Sequence, residues 1–351
     1  MKIAEPPIRP FQKSQPATMT EIPLYPLRFK PIYQYRPWGG RRLADLLSTP
    51  LPGDDPIGEA WLLSDRDDHP SVVSHGALKG CSLRELMQDR SEEILGRLAA
   101  NYQRFPLLLK FLDVQRKLSV QVHPSDSEKK YIPDGETGKT EAWVVLETGK
   151  ESRIYAGLKP WTAKDVLWEE VNNGDVADLL SSFVPRTGDS VLIPAGTVHS
   201  LSDVVVFEVQ ENSDVTFRLY DWKNIDPKTG KLRPLQVEEA MECIDMAQVE
   251  IQAVQPVVSG LNPVLLERLV ECDHFGLWRY RGELPFTVGA AETPRVLVCI
   301  EGVGHLEHAG GNYAIAKGDV LLLPAILGTC LCRPHGGLNL LEISLPEGLR
   351  P

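Results

Sequence analysis

The chain has 351 residues, 42% hydrophobic and 24% charged, with a formal net charge of −11. That much apolar material excludes whole-chain disorder and allows one large domain or two to three ordinary ones. No apolar run approaches the roughly 18 residues of a membrane span, and an acidic chain without a long basic run does not suit duplex nucleic acid. The cysteines Cys81, Cys243, Cys272, Cys299, Cys330 and Cys332 form no Cys-x-x-Cys pair, which favours a reduced, cytoplasmic compartment over a disulfide scaffold.

Residues 1–20 carry Pro6, Pro7, Pro10 and Pro16 and lack the apolar stretch of a signal peptide, so they read as a flexible tail, with Met19 a candidate start of translation. Ser82 and Glu85 then form a capping box, and Leu83, Leu86, Met87, Ile94, Leu95 and Leu98 fall on one helical stripe. A second helix is expected from caps at Thr162 and Asp165 through about Asn172. Asn173-Gly174 stops it, and Asp175 starts a further turn. A third helix is expected near Val237 to Met246. Most other apolar runs are short and bounded by Gly, Pro or Asp: Ala142 to Leu146, Ser190 to Ile193, Val204 to Val209, Val296 to Ile300, Val320 to Leu323 and Leu340 to Leu345. These are sandwich or barrel strands, many too closely spaced for parallel β-α-β crossovers.

Gly188-Asp189-Ser190-Val191-Leu192-Ile193-Pro194-Ala195 recurs as Gly318-Asp319-Val320-Leu321-Leu322-Leu323-Pro324-Ala325. In each, Gly-Asp makes a turn, a buried strand follows and Pro ends it. With the spacing Gly188-x5-Pro194-x-Gly196-x2-His199 of the first copy, a cupin-superfamily motif, the fold class expected is mainly β: two cupin-like (jelly-roll) barrels, residues 21–249 with helical insertions and residues 250–351, the second degenerate and without metal because Thr329 stands where His199 would recur. The boundary is placed in 250–262, which holds Gln255-Pro256 and Ser259-Gly260.

The spacing Gly188-x5-Pro194-x-Gly196-x2-His199 matches the second sequence motif of the cupin superfamily, which places His199 inside the barrel. Gln121 and His123 share one face of a strand, and Glu141 opens another. Gln121, His123, Glu141 and His199 offer N and O donors and no thiolate. That set suits Zn²⁺ with a position left for water or substrate, and admits Mn²⁺ or Fe²⁺. Lys110 lies in the apolar run Leu107-Leu-Leu-Lys110-Phe-Leu, where a lysine is costly unless paired or facing a cavity. Lys139 lies just before Glu141. In Thr216-Phe-Arg218-Leu-Tyr220, alternation puts Thr216, Arg218 and Tyr220 on one face. These cations suit a phosphate, although each alone also reads as one half of a salt bridge. The charged segment 125–138 reads as a lid or as a solvated loop.

Taken together, the chain resembles the type I phosphomannose isomerases in their short bacterial form. The resemblance runs from Tyr25 to the C-terminus. It rests on Arg36-Pro-Trp38-Gly-Gly40, Ile57-Gly-Glu59-Ala-Trp61, Phe105-Pro-Leu-Leu-Leu-Lys110-Phe-Leu-Asp113, Leu118-Ser-Val-Gln121-Val-His123-Pro124, Gly138-Lys139-Thr-Glu141, Pro194-Ala-Gly-Thr-Val-His199 and Asn212-Ser-Asp214-Val-Thr-Phe-Arg218. It implies zinc ligands at Gln121, His123, Glu141 and His199, an essential Arg218, a family lysine at Lys139, and phosphate contacts at Ser119 and Lys110. It further implies a proton-transfer acid at Glu208 and another active-site acid at Asp214, and Trp38 joins the substrate-binding set. Two departures from longer members are Thr137-Gly138 before the Lys-x-Glu and Leu219-Tyr220 after the arginine.

The implied activity is interconversion of mannose 6-phosphate and fructose 6-phosphate through a cis-enediol, by a monomer or weak homodimer with a small-molecule sugar phosphate as partner. Glu208 is the first choice of base and a water on the metal the second. A Glu208 that only orients a ligand or pairs with Arg218 is the competing reading. A non-catalytic sugar-binding cupin and a metal dioxygenase are the alternatives to an isomerase; Gln, Glu and the phosphate cations argue against the dioxygenase.

Overall fold

The computed structural model describes residues 19–174 and 176–346. The expected tail lies outside the described residues through position 18, as does the turn expected at Asp175. From Met19 onward the chain is anchored: Met19–Glu21 forms a 3-10 turn, and buried Arg90 donates to the Met19 and Ile22 carbonyls at 3.1 and 2.6 Å.

Every pairing between strands is antiparallel, and the strands form two nine-stranded curled sheets of cupin-like character. The first runs Phe217–Tyr220, Val120–Val122, His199–Glu211, Leu107–Val114, Ile32–Gly40 and Ile57–Leu63. The long Glu141–Leu158 strand joins it alongside His199–Glu211 and also pairs with Leu180–Phe183 and Ser190–Ile193. The second sheet centres on Arg295–His308 and Thr329–Ser344. The short Leu27–Arg28 strand pairs across to it through Val320–Leu323.

Alternation of side chains divides the first sheet into two faces. Val205, Phe207 and Val209, with Leu107, Leu109 and Phe111, face a core shared with the second sheet and the Leu83–Leu95 helix. Val204 and Val206, with Leu112, Val114, Trp143 and Val145, face the interior of the first barrel. Glu208, Lys110 and Glu141 share the parity of that inner set and extend it from an apolar floor to a polar mouth.

The repeated turn is the same object in both barrels. Gly188 and Gly318 adopt φ of +92° and +88°, a region open to glycine at little cost. Gly188 donates to Val145 O and Gly318 to Cys299 O, both at 2.8 Å. The Asp189 and Asp319 carboxylates accept from the amides of Arg186 and Ala316, also at 2.8 Å in each case. His199 and Thr329 each open the strand that follows.

The capping box at Ser82 forms as expected, with Glu85 Oε2 accepting from the Ser82 amide at 2.7 Å. The second helix spans Lys164–Asn173, but its cap is Ala163, because Thr162 spends its hydroxyl on the Lys159 carbonyl. Gly174 ends it in the left-handed conformation. The third helix, Val237–Cys243, is shorter than its apolar pattern suggested. Among the described residues no helix is long and apolar enough to cross a membrane.

Candidate active site

The site is built by register. Gln121 is the cross-strand partner of His199 on one side and of Arg218 on the other. Higher in the sheet a second row forms, in which Trp143 pairs with Glu208, Glu208 with Lys110, and Lys110 with Trp61. Strand pairing thus places residues far apart in sequence within reach of one another. Gln121 and Arg218 of the first row, with Trp143, Glu208 and Lys110 of the second, line a cavity of about 530 Å³. A larger groove, about 700 Å³, lies on the surface beside Lys130, Trp168 and Glu239 and holds none of these residues.

Glu141 lines the cavity, and behind it His123 Nε2 and His199 Nε2 lie 3.5 and 3.4 Å from its two oxygens, with all three side chains buried. Their Nδ1 atoms lie 2.9 Å from the carbonyls of Val215 and Thr197. A carbonyl only accepts, so each Nδ1 carries the proton and each Nε2 offers its lone pair to a common point. The Gln121 side-chain NH₂ stands beside that point and donates to His199 Nε2 at 3.1 Å. Burial, with help from the Lys139 charge, depresses His123 to about 3, and burial also lowers His199, so both rings are held neutral. Glu141 is held well below its ordinary range: burial would raise it, but the Lys139 charge beside it outweighs burial. No hydrogen bond of ordinary geometry reaches its buried Oε1. Two neutral imidazoles and an ionised carboxylate with an unsatisfied oxygen are donors that suit a divalent metal, and His123, Glu141 and His199 fit one.

Lys139 Nζ is 2.8 Å from Glu141 Oε2 and 3.2 Å from His123 Nε2. Burial pulls its pKa down, yet the Glu141 and Glu208 carboxylates leave it raised. Glu208 is buried, with Oε2 accepting from Trp143 Nε1 at 2.9 Å and Oε1 at 3.4 Å from Lys110 Nζ. Burial and then repulsion from Glu141 push its pKa up, only partly offset by Lys139 and Lys110. Its ion-pair partner is therefore Lys110, not Arg218.

Arg218 points into the same cavity. Its Nε is buried and has no hydrogen-bond partner among the described residues, and burial together with nearby Arg233 lowers its pKa. The three cations singled out in the sequence differ in state: the two lysines lie within ion-pair distance of carboxylates, whereas Arg218 makes no ion pair among the described residues and has Arg233 and Arg36 as well as Asp221 and Asp214 nearby. Ser119 is buried on the wall and donates to Gln121 Oε1 at 3.3 Å. Asp214 lies 3.8 Å from Lys110 Nζ at the open side, and Trp38 forms part of the wall above Leu112. Tyr220 departs from the alternation. A bulge between Arg218 and Tyr220 breaks the period, so Thr216 and Arg218 line the cavity while Tyr220 packs on Trp222. The charged segment 125–138 is tied down, with Glu136 accepting two hydrogen bonds from Arg66 at 2.6 and 2.9 Å.

Sequence reasoning left Arg36, Glu59 and Arg233 out of the site. Arg36 and Glu59 form a bidentate pair at 2.8 and 3.1 Å on the cavity wall. A carboxylate in the apolar strand Ile57–Leu63 was the signal that marks this pair. Arg233 sits in an irregular segment, held by both oxygens of Asp221, and no periodicity points to it.

Glu59 carries a stability prediction. Burial would raise its pKa, but Arg36 and Lys110 depress it from 4.5 to about 2. A depressed carboxylate stabilises the fold above its unfolded pKa and loses that contribution as pH falls through the folded one, so the window is pH 4.5 to 2. The shift corresponds to on the order of 3 kcal/mol. Urea unfolding of Glu59→Gln at pH 6 and pH 3 should show a shallower acid decline than the parent chain; identical declines would contradict the assignment.

The sequence model of the phosphomannose isomerase type I catalytic domain matches residues 27–142. Mannose-6-phosphate isomerase ManA of Bacillus subtilis is 36% identical over 308 residues, covering 86% of this chain and 94% of that protein. The mannose-6-phosphate isomerase of Streptococcus mutans is 32% identical over 290 residues, covering 82% of this chain and 88% of its own length. The crystal structure of the mannose 6-phosphate isomerase from Bacillus subtilis matches with a TM-score of 0.83 at 28% identity, over 91% of this chain and 99% of that one.

Proposed function

The chain belongs to the type I phosphomannose isomerase family, and from that premise we propose that it interconverts mannose 6-phosphate and fructose 6-phosphate through a cis-enediol. The observation that carries this reading is one cavity lined by Gln121, by Glu141 and by the buried acid Glu208 on a neighbouring strand, with His123 and His199 completing a metal-competent cluster on Glu141 beside it.

The reaction moves a proton from C2 of the aldose to C1 of the ketose. Glu208 takes the C2 proton, and the C2–H electron pair shifts to form the C1–C2 double bond of the enediol as the C1 oxygen gains a proton. The same carboxylic acid then delivers its proton to C1 as the C2 hydroxyl gives up its proton and becomes the carbonyl; that released proton replaces the one the C1 oxygen took up, so the oxygen transfers cancel. A raised pKa suits both halves, because the group must accept and return a proton near neutrality. Trp143 fixes one carboxylate oxygen, leaving Oε1, which accepts no hydrogen bond, to face the substrate. Lys110 and Lys139 place positive charge where the sugar oxygens become negative.

Gln121, His123, Glu141 and His199 would hold the metal. The donor set contains no thiolate and favours Zn²⁺, while Mn²⁺ and Fe²⁺ suit it too. Bound there, it supplies Lewis-acid polarisation of the sugar carbonyl and hydroxyl oxygens without redox chemistry. The Arg218 guanidinium, with its unsatisfied Nε, anchors the phosphate, and Ser119 adds a hydroxyl. Binding energy from the phosphate end orients the reacting carbons. All six cysteines are free, in keeping with a reducing cytoplasmic setting.

Arg218→Lys tests the phosphate assignment. A point charge replaces a planar fork, and loss of a charge-assisted hydrogen bond predicts a roughly tenfold to hundredfold fall in kcat/KM. Wild-type kinetics in that variant would make Arg218 structural. The reading as a whole is tested by supplying the purified chain with mannose 6-phosphate and with unphosphorylated mannose. Conversion confined to the phosphorylated sugar is expected, and equal rates on both would contradict it.

A further inference from the structure

Glu211 closes the strand that carries Glu208 and is buried despite its charge. Its Oε2 accepts from the Thr140 amide at 2.8 Å, and its own amide donates to the Thr140 carbonyl at 3.2 Å. Thr140 stands between Lys139 and Glu141. On the other side of Lys139, the Gly138 amide donates to Asp126 Oδ1 at 2.8 Å. The contact is close: a Cβ at Gly138 would lie 2.5 Å from the Asp126 amide nitrogen. The backbone on both sides of Lys139 is therefore held by a carboxylate.

These carboxylates converge on a residue from the other sheet. Donor atoms of Asp126, Glu211 and His274 all lie within 4.8 Å of one another, and His274 Nδ1 is 2.9 Å from Glu211 Oε1. His274 sits in the tight turn between strands Leu265–Glu271 and Gly276–Gly282. There the Cys272 amide donates to the Phe275 carbonyl at 3.1 Å.

We propose that His274 is a positioning residue for the isomerase site: the second barrel supplies an imidazole donor that fixes Glu211, and Glu211 with Asp126 fixes the backbone around Lys139. Two carboxylates brought together repel unless a donor lies between them, and the imidazole is that donor. Lys139 Nζ is 2.8 Å from Glu141 Oε2, so a small backbone displacement at Thr140 moves both the lysine and the carboxylate ligand. Misplacement of catalytic groups by a fraction of an ångström to one ångström is enough to slow turnover substantially. The degenerate barrel thereby acquires a role in catalysis without touching substrate.

The test compares His274→Ala and His274→Asn with the parent chain. The His274 side chain is only 20% exposed, so truncation leaves a partly buried gap, and melting temperature is followed alongside the kinetics. His274→Ala should lower kcat roughly tenfold to hundredfold, with KM nearly unchanged and metal content retained. It should also speed hydrogen exchange at the Gly138 and Thr140 amides. His274→Asn, whose side-chain NH₂ stands near the position of Nδ1, should restore most of both. Parental exchange and kcat in His274→Ala would overturn the proposal. So would a loss of kcat that tracks lost metal or melting temperature and is equally large in His274→Asn. The kinetic arm rests on the isomerase reading and the exchange arm does not. A parent chain without isomerase activity would sink that reading, while the exchange comparison would still decide this one.

Discussion

Glu208→Gln is expected to lower turnover by roughly a hundredfold or more while metal content stays unchanged. The substitution keeps the shape and the acceptor for Trp143 Nε1, which lies 2.9 Å from Glu208 Oε2, and removes the basicity together with the charge that faces Lys110. Exchange of the substrate C2 proton with deuterated solvent should fall in parallel, because that exchange reports the proton-abstraction step itself. The pH profile adds a second signature. Burial and the neighbouring Glu141 raise the Glu208 pKa, so the acidic limb of kcat/KM in the parent chain should lie above the ordinary glutamate range. Activity requires the deprotonated form, so the rate falls as pH drops through that raised value. A variant that still exchanges the C2 proton at the parental rate would remove Glu208 as the base and leave it as the partner of Lys110, 3.4 Å away.

His123→Ala combined with His199→Ala should abolish stoichiometric metal binding and isomerase activity together. Each ring is buried and held neutral, with its Nδ1 anchored on a backbone carbonyl, so neither is replaced by a neighbouring side chain of similar chemistry. Losing both removes two of the four donors and leaves the buried Glu141 carboxylate beside Lys139 alone. Elemental analysis after dialysis is the measurement. A full complement of metal in the double variant would refute the assignment of the ligands, whatever happened to the rate.

Much of this arrangement was legible because strand alternation is a strict rule. Lys110 and Glu208 in apolar strands had to face something polar, and their shared parity with the barrel interior follows from a period of two. The Gly188 turn was legible for a different reason: Gly-Asp before a short apolar run and Pro after it specify a backbone that glycine readily adopts, and Gly318 repeats it. Other features depended on events with no local signature. The bulge that turns Tyr220 away from Arg218 interrupts the period without a marker residue. Arg233 reaches the cavity from an irregular segment through its pairing with Asp221. The Ala163 cap displaced Thr162 because the threonine hydroxyl found a nearer acceptor in the preceding turn. His274 lies far from the site in sequence and approaches it through packing of the two sheets, which no pattern of spacing records.

Interconversion of fructose 6-phosphate and mannose 6-phosphate by the purified chain, followed by NMR before chelation, after chelation and after restoring a divalent ion, tests the central claim most directly. The account predicts conversion by the metal-loaded chain, loss of conversion after chelation, and recovery when the ion is restored. No conversion by the metal-loaded chain, or an undiminished rate in the fully stripped one, would contradict it.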